Sequence, residues 1–136
     1  MRWETKYVDH FKADGTSNIF GGFTNVAWSS PSVGGEYKRD RNAFLFSLVN
    51  QENHPIKIKV SQPQHAFICH PSYGPSFGRG SDIFIAPFSN TNAGSYSNLG
   101  SSYSHPQYSK GSAQAQNFLA GSFNFKMSEI EVYTKT

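Results

Sequence analysis

A chain of 136 residues that is 37% apolar, 15% aromatic and only 15% charged has the size of one domain and too many large apolar groups for a disordered tail. No apolar run approaches the ~20 residues that a membrane-spanning helix needs. The formal charge of +3 is spread along the chain, and its densest basic stretch, Lys38-Arg39-Asp40-Arg41, is interrupted by an acid and flanked by Glu36, which argues against the continuous basic stripe of a nucleic-acid tracker.

One cysteine, Cys69, permits no internal disulfide, and there is no Asn-x-Ser/Thr site. Met1-Arg2-Trp3-Glu4-Thr5-Lys6 lacks the apolar stretch of a secretory leader. These features predict a soluble protein of a reducing, cytoplasmic or other intracellular compartment.

Glycine and proline interrupt the chain too often for a helical bundle, while short aromatic and β-branched runs recur between them, so the fold is predicted to be mainly β. Trp3, Thr5, Tyr7 and Phe11 share one parity, the signature of one face of a strand. Ala13-Asp14-Gly15-Thr16 follows as a turn, because Asp-Gly tolerates left-handed dihedrals. Residues 18–24 form the returning strand, and the pair Gly21-Gly22 within it predicts a bulge or the close approach of a bulky ring, for which Trp28 is the candidate.

Residues 29–35 read as a loop. Residues 42–48 are apolar on both parities, as expected of a central strand covered on both faces. Ile56, Ile58 and Val60 alternate with Lys57 and Lys59, which leaves one face of that strand in water. Residues 66–69 and 82–86 predict two more strands around a Gly/Pro-rich link. Residues 89–116 lack periodicity and predict a long surface loop, mobile in part. Residues 118–125 and 130–133 are the closing strands. Ser128 and Glu131 have capping-box spacing, but too little chain follows for a helix.

Few residues suggest chemistry. His65, Cys69 and His70 offer an imidazole–thiolate set, yet on a strand His70 would point away from the other two and no second ligand pair exists, so a buried structural thiol is preferred over zinc. A nucleophilic Cys69 with His65 or His70 as base remains the alternative. Glu129 and Glu131 share a strand face, where a solvated edge is preferred over a shared proton or cation. Gly78-Arg79-Gly80 lacks the Lys-Ser/Thr and the following helix of a phosphate loop, and no Gly-x-Ser-x-Gly elbow occurs.

In order and spacing, Ile19-Phe20-Gly21-Gly22-Phe23, Trp28-Ser29-Ser30, residues 42–48, Tyr73-Gly74-Pro75-Ser76-Phe77-Gly78-Arg79-Gly80-Ser81-Asp82-Ile83, Leu99-Gly100-Ser101-Ser102-Tyr103 and Gly121-Ser122-Phe123 with Glu129-Ile130-Glu131-Val132 resemble the TLDc domain of the oxidation-resistance proteins. The resemblance implies a two-sheet antiparallel β-sandwich with few short helices over residues 1–136. It also implies oxidative-stress protection and binding of the vacuolar proton-pumping ATPase (V-ATPase), with no cofactor, no metal and no catalytic residues.

The motif residues then have structural roles: close packing for Gly21 and Gly22, a tight turn for Gly74 and Pro75, and core for Phe20, Trp28, Phe44, Phe46 and Phe77. Gly80 and Gly100 join them, and Asp82, Glu129 and Glu131 satisfy loop N–H groups or face a partner. Glu36, Lys38, Arg39, Arg41, Tyr96 and Tyr103 are the candidate partner-binding residues, since flexible loops with tyrosines on a rigid sandwich suit protein contacts. The family has a helical segment and a strand upstream of the Phe-Gly-Gly motif, so a trimmed or shortened member is expected, with an apolar groove or free sheet edge where that segment would pack.

Overall fold

The computed structural model describes residues 6–28 and 34–135. Trp3, Thr5 and positions 29–33 of the expected loop, including Ser29 and Ser30, lie outside them. The described residues are mainly β, and every strand pairing is antiparallel. A five-stranded sheet runs in the order β10-β1-β2-β4-β5, formed by β1 (Lys6–Ala13), β2 (Ile19–Thr24), β4 (Phe44–Val49), β5 (Ile56–Lys59) and β10 (Met127–Lys135). A three-stranded sheet runs β3-β6-β7, formed by β3 (Glu36–Lys38), β6 (Phe67–Cys69) and β7 (Ser76–Phe77). A ribbon of β8 (Ser95–Tyr96) and β9 (Asn124–Phe125) completes the pairing, with one short helix, α1 (Ala113–Phe118), before it closes.

Alternation sets the inward face of β1. Asp9, Phe11 and Ala13 are buried while Val8, His10 and Lys12 are half-exposed on the outer face. The expected turn follows, with Gly15 at φ 78°. Phe11 and Phe125 both meet the Phe20 ring edge-on at 5.6 Å. Leu45, Ile58, Phe67, Phe77, Ile83, Leu99 and Leu119 extend this core. The Ile56/Ile58/Val60 alternation is as expected, with Lys57 and Lys59 exposed.

Gly22 lets the two main sheets close on each other, and Gly21 lets neighbours within its own sheet approach. A Cβ on Gly22 would stand 2.3 Å from the Phe77 ring of the facing sheet, and one on Gly21 would stand 1.8 Å from the Asp9 carbonyl oxygen and 2.6 Å from the Phe46 ring. The rings are thus Phe77 and Phe46 rather than Trp28, which instead packs on Phe67 and Phe77. The glycine pair itself makes no bulge: Gly21 and Gly22 pair regularly with Phe46 and Leu45, and the register shift lies next to Ile19 and Phe20, where Leu48 of β4 is the extra residue.

Several expectations need correction. Phe44 and Phe46 are not core: the alternation that buries Leu45 and Ser47 turns them to the outer face, where Phe44 stacks on Phe23 at 4.7 Å and lies under the Lys57 ammonium. Residues 82–86 make single bridge pairs, Phe77 with Ile83 and Phe84 with Tyr96, in place of a strand. Much of residues 113–125 is α1 and turns, because Ser112 caps the helix by accepting the Ala115 N–H and small residues at 113 and 115 fit it. The stretch 89–116 is anchored at Ser95, Ser97, Leu99, Ser102, Tyr103, His105 and Ala115, all of them buried.

Candidate functional site

The Gly/Pro-rich block folds around one carboxylate. Chain reversal at residues 78–81 closes with the Ser81 N–H donating to the Gly78 carbonyl, and Gly78, Gly80 and Ser81 all have positive φ. This reversal, rather than Gly74-Pro75, is the tight turn. Gly74 serves a close approach, since a Cβ there would stand 2.5 Å from the Ile85 side chain.

The reversal delivers Asp82, fully buried, beneath the loop 97–103. Its Oδ2 accepts the N–H groups of Gly100, Ser101 and Tyr103 and its Oδ1 that of Ser102, at 2.8–3.1 Å. Burial raises this carboxyl to about 7, and the four N–H groups oppose the rise. Gly100 holds the far side of the loop at φ 111°, where a Cβ would press on the Lys110 backbone at 2.8 Å.

Asp40 does similar work within the basic stretch 38–41. It accepts the Thr24 hydroxyl at 2.6 Å and the N–H groups of Asn25 and Asn42 at 2.8 Å. The acid that interrupts the basic stretch is therefore buried structure, and the stretch exposes only its flanks. Glu36 and Lys38 share a face of β3 and form an ion pair of 3.2 Å, while Arg39 and Arg41 are exposed.

Of the candidate surface tyrosines, Tyr103 is corrected: it is fully buried, its hydroxyl donates to the Ala66 carbonyl, and burial raises its pKa, with Asp82 and Asp40 adding to the rise. It offers no contact surface. Tyr96 is half-exposed in a continuous row of rings. His70 stacks on Tyr73 at 3.7 Å, Tyr73 meets Phe84 at 4.9 Å, Phe84 meets Tyr96 at 5.0 Å and Tyr96 meets Phe123 at 5.4 Å. Tyr73 and Phe123 expose more than a third of their surface.

The imidazole–thiol set is dispersed. His65 belongs to a turn of 3-10 helix, Pro63–His65, and not to the strand, and its ring packs edge-on against Tyr37. His70 accepts the Ser72 N–H at Nδ1. Cys69 is 1% exposed. Among the described residues no three His, Cys, Asp or Glu side chains converge as a metal would require. Glu129 and Glu131 are exposed on β10, at one edge of the five-stranded sheet, opposite Lys12 and His10 in register, and Glu131 accepts the Tyr133 hydroxyl.

A cleft of about 390 Å³ opens between the two main sheets. Its walls are Tyr7, Asp9, Val132 and Thr134 from one sheet and Trp28, Ile68, Cys69, His70 and Tyr73 to Pro75 from the other side. Asp9 is 1% exposed, and neither carboxylate oxygen has a hydrogen-bond partner among the described residues. Burial alone pushes its carboxyl up to about 7. Sequence reasoning missed Asp9, although one signal was available: it is the acid lying between Tyr7 and Phe11 on the parity those aromatic residues share.

The family model of the TLDc domain matches residues 7–135. No curated protein matches the chain. Among the described residues, no helix is long and apolar enough to cross a membrane.

Proposed function

The chain belongs to the TLDc domain family, and from that premise we propose that it is a non-catalytic protein-interaction domain. In this reading residues 1–136 act as one unit in protection against oxidative stress by binding and regulating the V-ATPase, which would bring it to the cytoplasmic surface of acidic organelles. The observation that carries the reading is where the polar motif residues point. Asp82 and Asp40 are consumed by loop backbone, whereas the exposed features are the ring row from His70 to Phe123, the flanks of the Glu36–Arg41 segment and the acids Glu129 and Glu131 on β10. A rigid scaffold with amphipathic rings at its surface suits protein contact.

Capture from a membrane extract tests the assignment. Enrichment of pump subunits by the immobilised chain is expected under conditions that keep the pump assembled, and no enrichment would remove the pump as partner.

A second reading has one observation in its favour: Cys69 and His70 both line the cleft that holds Asp9, which suits a thiol-dependent redox or hydrolytic site. Thiol titration of the folded protein separates the two. A Cys69 that reacts only after denaturation leaves the enzyme reading without its nucleophile.

A further inference from the structure

We propose that the cleft between the two main sheets binds a small organic cation, an alkylammonium, with Asp9 as its counter-ion. The proposal is independent of the partner reading above. Alternation along β1 fixes the Asp9 side chain on the cleft wall, and its burial without hydrogen-bond donors contrasts with the other buried acids. Asp82 has four N–H donors, and Asp40 has two N–H donors and a hydroxyl. A buried carboxylate left in this state is costly unless it keeps a proton or a positive charge comes to face it.

Among the described cleft-lining residues there is no lysine or arginine, and the one imidazole, His70, stacks on Tyr73 and accepts the Ser72 N–H, which leaves the charge to the occupant. The rest of the lining matches that occupant. Tyr7, Trp28 and Tyr73 bring aromatic rings, a side-chain type that attracts ammonium groups, and Ile68 and Val132 suit a hydrocarbon tail. The volume of about 390 Å³ falls in the range of small-molecule sites, roughly 300–1,000 Å³. An anion is disfavoured by Asp9, and a metal by the lack of converging ligands among the described residues.

The test is a titration of the whole chain followed by amide NMR, with n-butylammonium, butan-1-ol and butyrate as probes. Saturable shifts at Asp9, Ile68, Val132 and Thr134 are expected with the amine alone, and Asp9→Asn should weaken it at least about thirtyfold, the loss typical of removing one partner of a buried charge pair. A second variant uses Val132, the register partner of Asp9 and itself part of the cleft wall. Val132→Lys would place an ammonium beside Asp9, and it should raise Tm and abolish amine binding.

Equal binding of amine and alcohol, unchanged affinity in Asp9→Asn, or unchanged amine binding in Val132→Lys would overturn the proposal. Binding of a lysine-bearing tripeptide without binding of n-butylammonium would also overturn it, by assigning the cleft to a protein side chain.

Discussion

Gly22 and the Phe77 ring share one space: the ring Cζ lies 2.3 Å from where a Gly22 Cβ would be. The strand carrying Gly22 and the sheet carrying Phe77 can approach this closely only because one of the two partners has no side chain. Gly22→Ala should therefore destabilise the fold by about 1–3 kcal/mol through overpacking. Urea denaturation measures it, and Gly22→Ala combined with Phe77→Leu should recover part of the loss. A single variant as stable as the parent would show that the sheets separate easily.

Asp82 makes a second prediction. An asparagine of the same shape has one carbonyl oxygen and one NH2 group, so at least one of the four N–H donors that now meet a carboxylate would face another donor. Asp82→Asn should cost about 1–3 kcal/mol, the penalty of an unsatisfied buried group. Limited proteolysis should then cut within residues 97–103, where the parent resists.

The Asp9 carboxyl is raised to about 7 in the folded chain, against about 3.9 for an unfolded aspartate. The native state thus holds this proton more tightly than the unfolded state does, and stability falls as pH rises between those values. The full effect is at most about 4 kcal/mol, complete above pH 7 and absent below pH 4. Asp9→Asn cannot lose a proton, so it should be more stable than the parent at pH 8 and lose that advantage by pH 4. Denaturation midpoints of both proteins across this range give the difference directly, because all other titrating groups are common to both.

Tyr103 ties the loop 97–103 to the Ala66 carbonyl through its hydroxyl. Tyr103→Phe keeps the ring and removes the donor, leaving that carbonyl without the hydroxyl, and should cost about 1 kcal/mol. By contrast, Arg39→Glu with Arg41→Glu changes two exposed side chains and should move stability by no more than about 0.5 kcal/mol. Thermal melts of the three proteins rank them.

What could be read from the sequence was what local chemistry decides. Asp14-Gly15 dictates its turn, and the Ile56/Lys57/Ile58/Lys59 alternation dictates its faces. Apolar content alone could not tell the two faces of β4 apart, because Phe44 and Phe46 cover the outer face of the sheet with rings where polar residues are usual. The stretch 89–116 looked structureless because its order is imposed from outside, by Asp82 on residues 100–103 and by serines such as Ser95, whose hydroxyl accepts the Ala86 N–H. Those partners are distant in sequence, and composition carries no trace of them. In the candidate site, the role of Asp9 depends on what fails to face it, which only the assembled sheets reveal.

The pairing of β1 with β10, with Lys6 opposite Lys135, also has a kinetic side. The hairpins β1–β2 and β4–β5 can close within short stretches of chain, but one edge of β1 must wait for the far end of the sequence before it gains a neighbour. Loop-closure entropy makes such a distant junction slow to form. During that interval the first strand presents an open hydrogen-bonding edge beside its apolar face, a species prone to self-association. A circular permutant that makes β10 and β1 consecutive in sequence would shorten this window and should refold faster at higher protein concentration.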